Sequence, residues 1–291
     1  MADKSNTTIA ELIRGNIGSL TRAERQLANA LMANYPVAGL TSITELAKTA
    51  NVSTPTVLRM AKKIGFSGFP EFQSALRREL EATLSNPIAK HNRWALDAPE
   101  GHILNRFASA TIDNLQTSLQ HIDHKMFDKV SSLLADRNAS IHIVGGRITH
   151  AIADYLFTHL QVIRKDVHML PSSAGLWPHH LLNMDNNAVL IVFDVRRYEA
   201  DLVKLAELAQ ERGTRVILFT DQWMSPISTT ALHSFNFRIE VPSGWDSAVA
   251  TLFMVEALIA SVENTLWPQT SSRMSELEAL FDATKRFRKS P

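Results

Sequence analysis

The chain has 291 residues and no cysteine, which excludes a disulfide framework and any metal site with thiolate ligands. Glycine and proline are scarce, with 11 of each, and 20% of the residues are charged against 45% that are hydrophobic. This balance is typical of a folded chain and not of a disordered one. At roughly 150 residues per domain, the length predicts about two domains.

Long apolar runs are also missing from the sequence. The longest candidate, residues 248–260, is interrupted by Glu256 and is shorter than the roughly 18 residues that span a bilayer. The N-terminal residues lack the apolar run of a signal peptide. We therefore expect a cytoplasmic protein that makes no contact with a membrane.

An excess of charge of one sign is absent, since the formal net charge is only +1. Nucleic-acid binding can therefore be argued only from the local distribution of charge. Between Thr49 and Gly68 the chain carries three cations and no aspartate or glutamate. Residues 285–289 are basic too, and we expect a solvated chain end there.

A capping box opens the first clear helix of the chain. Thr21 can accept a hydrogen bond from the backbone of Glu24, whose carboxylate can in turn accept one from the backbone of Thr21. Apolar residues at helical spacing continue to about Ala33, and Pro36 ends the pattern.

Two short helices with a tight corner between them follow. The first begins near Ser42, and Asn51 lies at the corner, where left-handed backbone geometry is needed. The second is capped by Ser53 and ends at Gly65. Its predicted buried stripe consists of Val57, Met60, Ala61 and Ile64. Phenylalanines beyond it are spaced to pack back onto these helices, and a fourth helix is predicted to end near Leu84.

A helix, a corner and a second helix form the helix-turn-helix arrangement that places its second helix in the major groove of DNA. The predicted DNA-facing residues of that helix are Ser53, Thr54, Thr56, Arg59, Lys62 and Lys63. Arg59 has the geometry for a bidentate contact to guanine, whereas Lys62 and Lys63 are placed to meet phosphates. The alternative is a three-helix bundle with an ordinary solvated basic face, which the absence of acids disfavours.

The second half of the chain has a different pattern. Helical periodicity at residues 103–119 and 125–134 gives way to short apolar runs separated by amphipathic stretches. The runs are residues 141–144, 167–170, 188–193, 215–219 and 237–241. This alternation predicts a three-layer α/β domain with a parallel sheet covered on both faces. Residues 245–262 are predicted to form a core helix with an added dimer seam.

We thus predict two domains. Residues 1–84 form an all-α helix-turn-helix domain, and residues 102–291 form the α/β domain. Residues 85–101 lose periodicity and contain two prolines, so they are predicted to be a linker.

The run SITELAKTANVSTPTVLRMAKKIGFSGFPEFQSAL resembles the N-terminal domain of RpiR-type bacterial transcriptional regulators. It has the helix ending in "LA", the "VS..TV.R" recognition helix and the "GF.GF.EF" continuation of that family. The matching residues are Leu46, Ala47, Val52, Ser53, Thr56, Val57, Arg59, Gly65, Phe66, Gly68, Phe69, Glu71 and Phe72. Met60 stands where the family usually has phenylalanine. The resemblance covers roughly residues 5 to 80 and implies that the protein binds double-stranded DNA.

The resemblance also implies that the second domain is a sugar-isomerase (SIS) domain, which binds a phosphosugar effector at loops after its parallel strands. The family's first loop reads G-x-G-x-S, and here Arg147 replaces the second glycine while Thr149 keeps a hydroxyl. The family's second loop reads S-x-S-G-x-T, and here Asp194, Arg196 and Glu199 replace the two serines and the threonine.

The implied effector site thus comprises Arg147, Thr149, Asp194, Arg196, Arg197, Glu199 and Thr220, of which Thr220 keeps the family pattern. The lost hydroxyls and added carboxylates disfavour the usual wrapping of a phosphate. Two adjacent arginines can instead take an anion bidentately, so we expect a small anionic metabolite, either a sugar phosphate or a carboxylate. The alternative is that Arg196 and Arg197 pair with nearby carboxylates and the site is closed.

The leading hypothesis is a sequence-specific transcriptional regulator, more often a repressor in this family, that acts as a homodimer or homotetramer. No cofactor, catalytic residue or metal ion is expected, since His179 and His180 are adjacent and lack a completing ligand cluster. One alternative is an isomerase or lyase of the SIS class with Glu199 as its general base. Another is a regulator whose second domain binds no ligand and only oligomerises.

Overall fold

A computed structural model describes residues 7–96 and 101–286. Its α-helices are α1 (Ile9–Gly15), α2 (Arg22–Ala33), α3 (Ile43–Thr49), α4 (Thr54–Lys63), α5 (Phe69–Leu84), α6 (Pro87–Leu96), α7 (Ile103–Gln120), α8 (His124–Ala135), α9 (His150–Ile163), α10 (Trp177–Leu181), α11 (Ala200–Glu211), α12 (Val249–Thr265) and α13 (Trp267–Ala283). Its β-strands are β1 (Ser140–Gly145), β2 (Val167–Met169), β3 (Ala188–Phe193), β4 (Arg215–Asp221) and β5 (His233–Phe237).

Packing divides the described residues into two compact units. Unit 1 contains the described residues from 7 to 117 together with Asp221–Thr229 and Arg238–Ser247. Unit 2 contains Ser118–Thr220, Thr230–Phe237 and residues 248–286. Two late segments of the chain therefore pack with the N-terminal helices, a grouping that the domain boundaries predicted at residues 84 and 102 do not include.

The helix signals of the sequence correspond closely to the helices of unit 1. Thr21 and Glu24 form the predicted capping box of α2. Asn51 has φ of 49° at the corner between α3 and α4, and Gly65 has φ of 107° just after α4, the left-handed geometry that ends a helix. Ser53 is the N-cap residue of α4, but its side chain makes no capping hydrogen bond to the helix backbone.

The small apolar core of unit 1 holds these helices together. The predicted stripe of α4 lies in it, with Val57, Met60 and Ala61 each only 1% exposed. The phenylalanine rings after α4 also pack together, since the centroids of Phe66 and Phe72 are 5.6 Å apart in an edge-to-face arrangement. The core fixes which face of α4 points outward.

A buried polar cluster lies beside that core. Arg238 forms an ion pair with Glu11, and both side chains are buried. The backbone N–H of Ile9 donates to Glu79 Oε1 over 2.8 Å, and the hydroxyl of Tyr35 donates to the same carboxyl group. Burial raises the pKa of Glu79 to about 7, although the two donated hydrogen bonds oppose the shift. These contacts attach the segment that follows β5 to α1 and α5.

Two predictions about secondary structure are wrong. The predicted linker contains α6, whose first residue, Pro87, is tolerated in the first turn of a helix. The fifth strand is His233–Phe237 and not residues 237–241. Residues after Phe237 leave the sheet because their polar groups have other partners: Arg238 pairs with Glu11, and the Ile239 N–H donates to the side chain of Gln222.

Unit 2 has the predicted α/β architecture. Its five-stranded sheet has the order β2-β1-β3-β4-β5, and β1 pairs in parallel with β2 and β3, as β3 does with β4. Every residue of β3 is buried, as expected for a strand covered on both faces. Helix α9 packs against β1, β2 and β3, and α12 packs against α8 and α9.

Among the described residues, no single helix has the length and apolar character to cross a membrane, and only α12 and α13 taken together, with a 101° bend between them, meet that test.

His142 makes the stability of unit 2 sensitive to acid. This residue of β1 is 2% exposed and stacks on His168. Burial and the nearby His168 and His180 lower its pKa to about 4, against a smaller opposing effect of Asp185. Between the ordinary histidine pKa of about 6.5 and pH 4, the unfolded chain binds a proton that the folded chain does not. Stability therefore falls as the pH falls through that window.

We predict that the melting temperature of the native chain falls between pH 7.5 and pH 5, and that His142→Gln removes part of this fall. His124→Gln, which changes an exposed histidine of the same unit, is the control and should leave the pH dependence as it is. Equal pH dependence in the native chain and in His142→Gln would contradict this assignment.

Candidate DNA-reading helix and effector site

The outward face of α4 carries most of the predicted DNA-facing residues. Ser53, Arg59 and Lys62 are exposed, and Thr54 is half-buried. The first turn of α4 contains no acidic residue, and its last turn contains Lys62 and Lys63. A polar start and a cationic outer side are thus available to base edges and phosphates.

Thr56 does not lie on that face. It is 4% exposed, because positions four residues apart share one side of a helix and Thr56 therefore lies on the side of Met60 and Ile64. Its hydroxyl is 3.0 Å from Ser53 Oγ and accepts a hydrogen bond of 3.1 Å from Arg59 Nη2. Thr56 therefore positions Arg59 from beneath, and the expectation that it points outward is wrong.

Lys63 points outward but is bonded within the domain. Its Nζ lies 2.6 Å from Glu24 Oε2 and donates to the carbonyl of Ser19 over 3.1 Å. Burial alone would raise the pKa of Glu24, but hydrogen bonds from Lys63 and Thr21 hold that pKa below its ordinary value. Sequence spacing could not show this pairing, because Glu24 belongs to a different helix.

Leu58 is the outward residue that sequence reasoning missed. It is 37% exposed on α4, one turn before Lys62 and beside Arg59. The sequence contains a signal for this position, because a leucine outside the predicted buried stripe of the helix is expected to face solvent. An exposed aliphatic group there can contact the methyl group of thymine.

We predict that Lys63→Ala lowers the stability of the chain by about 1–3 kcal/mol, because it leaves the buried carboxylate of Glu24 without its cation. Lys62→Ala removes an equal charge from an exposed position of the same helix and should change stability by less than about 0.5 kcal/mol. Thermal or urea unfolding of the full chain measures both. Equal stability of the two variants would contradict a structural role for Lys63.

The candidate effector loops meet at one edge of the sheet in unit 2. Gly145 at the end of β1 pairs with Phe193 at the end of β3, and Phe193 pairs with Phe219 near the end of β4. The strand order reverses between β1 and β3. Crevices at such a reversal, outside the carboxyl ends of the strands, are where open α/β sheets bind ligands.

Within the first loop, the hydroxyl of Thr149 is used to hold the loop itself. It accepts a hydrogen bond of 2.9 Å from the backbone N–H of Gly146 and donates one of 2.7 Å to the carbonyl of Phe193. The hydroxyl therefore links the first loop to the end of β3 and has no second proton to donate to a ligand.

Two carboxylates of the chain accept hydrogen bonds from the loop backbone. The N–H of Arg147 donates to Glu199 Oε1 over 2.7 Å, and the N–H of Glu199 donates to Asp194 Oδ1 over 3.2 Å. A Cβ atom on Gly146 would lie 2.5 Å from Glu199 Oε1, so the carboxylate occupies the space directly over this glycine. The sequence predicts Glu199 and Asp194 at this site but does not predict that they bond to its amides.

The remaining predicted residues differ in accessibility. Asp194 is 1% exposed and Thr220 is fully buried, whereas Arg147 and Arg197 are exposed and Arg196 is half-buried. Within the described part of the chain, no group of three or more histidine, aspartate or glutamate side chains is placed to hold a metal ion.

A helix-turn-helix unit together with a parallel α/β unit whose loops gather at a strand-order reversal is the combination expected of a DNA-binding transcriptional regulator. Comparison with family models finds both kinds of domain in the chain. The helix-turn-helix domain of the rpiR family matches residues 7–83, and the SIS domain matches residues 133–261. The chain therefore combines an rpiR-family helix-turn-helix domain with a SIS domain, the pair of domains that its resemblance to RpiR-type transcriptional regulators implies.

The similar proteins include transcriptional regulators and a bifunctional protein that is longer than this chain. The HTH-type transcriptional regulator HexR of Pseudomonas aeruginosa is 27% identical over 216 residues, which are 73% of each chain. The bifunctional protein glk of Paraburkholderia xenovorans is 25% identical over 275 residues, and the match spans 90% of this chain but only 41% of glk.

Among solved structures, the Vibrio vulnificus NanR protein complexed with ManNAc-6P is similar in fold. It covers 94% of this chain and 98% of its own, with a TM-score of 0.55 and 20% identity. At this identity the likeness concerns the fold.

Proposed function

We propose that this regulator is a repressor that binds its operator through α4 and releases it when a small anionic metabolite binds at the loops of unit 2. The observation that carries the DNA-binding part is the outward face of α4, which presents Leu58, Arg59 and Lys62 while its apolar stripe is buried. Repression rather than activation rests on analogy with the family alone.

The side chains of α4 divide into two roles. Arg59 is oriented by its hydrogen bond to Thr56, which suits a bidentate contact to guanine. Leu58 suits a thymine methyl group. Lys62 suits a phosphate, where it adds affinity without sequence preference. We keep Ser53 and Thr54 in the proposed interface. We exclude Thr56, because it is buried and contributes only through its hydrogen bond with Arg59.

The proposed regulator acts in the cytoplasm. We expect a homodimer or homotetramer, because a helix-turn-helix protein reads two half-sites with two copies. Unit 2 offers a surface for such assembly on α12, where Val249 and Phe253 are exposed and Met254, Val255 and Leu258 are buried. The helix thus presents apolar groups on two sides, as expected of a core helix with an added seam.

The effector part of the proposal rests on the site at the strand-order reversal. Arg147 and Arg197 give it exposed guanidinium groups, which favour an anion. The similar NanR protein, whose structure contains the sugar phosphate ManNAc-6P, supports a sugar phosphate as one candidate effector, and a carboxylate is the other class of anion that guanidinium groups bind.

An isomerase or lyase is the weaker proposal. Its general base would be Glu199, yet this carboxylate accepts a hydrogen bond from the Arg147 backbone and lies over Gly146. A base held in this way has to break that contact before it can reach a substrate. We therefore propose that the chain has no catalytic activity of its own.

Arg59→Ala should reduce operator affinity by about 1–3 kcal/mol and relax the base preference at one position of each half-site. Lys62→Ala, on the same helix face, should weaken binding to all DNA about equally and reduce the salt dependence of log K by about one unit. Mobility-shift titrations at several salt concentrations separate the two. Native-like operator binding by both variants would overturn the proposed interface.

The operator itself is found by selecting bound fragments of genomic DNA, with and without an extract of cell metabolites. Fragments retained only without the extract support a regulator that a metabolite releases from DNA. Fragments retained only with it would mean that a metabolite promotes DNA binding, which would contradict the proposed release.

A further inference from the structure

We infer that Glu199 is the selectivity residue of the effector site: its carboxylate fills the anion position at the first loop and excludes a phosphoryl group from it. This inference rests on the proposed function, because it concerns the ligand of the same site. The Glu199 carboxylate of the chain would thus compete with the ligand for this position.

The position of the carboxylate is set by two contacts. Glu199 Oε1 accepts the backbone N–H of Arg147 over 2.7 Å. The same oxygen is so close to Gly146 that a Cβ atom there would lie 2.5 Å from it and 3.0 Å from Cδ. A carboxylate that accepts a hydrogen bond from a loop amide and lies over a glycine occupies the position where an anion from solution would bind.

Two further donors at these loops also bond to groups of the chain itself. The N–H of Glu199 donates to Asp194 Oδ1, and Asp194 is itself buried. The hydroxyl proton of Thr149 is donated to the carbonyl of Phe193. An incoming phosphate therefore finds the amide of Arg147, the amide of Glu199 and the hydroxyl of Thr149 already bonded.

Charge makes this arrangement selective. A phosphoryl group is a dianion near neutral pH, and at the first loop it would lie against the negative charge of Glu199. Arg147 and Arg197 are exposed, so their side chains are accessible to an anion from solution. An anionic effector therefore either binds through these arginines or displaces Glu199 from the amide of Arg147.

The test is calorimetric titration of the full-length chain with inorganic phosphate and with glucose 6-phosphate. Glu199→Ala removes the competing charge and opens the Arg147 amide, so it should bind both probes at least tenfold more tightly than the native chain. Glu199→Gln keeps an acceptor for that amide but loses the charge, and it should show a smaller gain.

Asp201→Ala is the matched control. Asp201 is an exposed carboxylate in the first turn of α11, two residues from Glu199, and its removal changes the net charge by the same amount. We expect its affinity for both probes to equal that of the native chain. Melting temperatures of all variants show whether each is folded. If Glu199→Ala does not fold, Glu199→Gln tests the inference in its place.

Three outcomes would overturn the inference. Affinities of the Glu199 variants equal to the native value would mean that the carboxylate excludes nothing. Weaker binding by them would mean that Glu199 contacts the ligand directly, and an equal gain in Asp201→Ala would mean a general charge effect. Operator binding by the native chain is measured in parallel, because its absence would count against the regulator proposal and not against the role of Glu199.

Discussion

The burial of one apolar stripe on α4 is the constraint on which the DNA-binding surface depends. Val57, Met60 and Ala61 are almost completely removed from water, and each buried side chain of this kind contributes roughly 1.5–3 kcal/mol if it is aliphatic and large. Rotating the helix would expose the stripe and bury Arg59 and Lys62. The hydrophobic effect therefore fixes the orientation of residues that do not themselves belong to the core.

Helical periodicity made most of unit 1 predictable, and its two failures have different causes. The capping box, the corner at Asn51 and the end at Gly65 are local features, and the structure confirms each of them. Thr56 was misplaced because it lies at the border of the stripe. The partner of Lys63 was missed because Glu24 is 39 residues away along the chain, and periodicity carries no information about such pairs.

In unit 2, too, local features were predictable from the sequence and contacts between distant residues were not. Apolar runs predicted four of the five strands, and parallel pairing brings the ends of β1 and β3 together. Those ends place the first two loops side by side, so the resemblance to SIS domains located the candidate site. It could not show that Glu199 turns toward the Arg147 amide, because the direction of a side chain depends on the packed loops. The fifth strand was misplaced because Arg238 pairs with Glu11 outside the sheet.

The absence of cysteine from the chain allows a direct test of the outward face of α4. A single cysteine introduced at Leu58 and another at Leu84, which is exposed near the end of α5, are each reacted with a maleimide with and without operator DNA. We predict that the operator slows labelling at position 58 by at least tenfold and leaves position 84 unchanged. Equal labelling rates at position 58 with and without bound DNA would contradict the placement of this helix against the duplex.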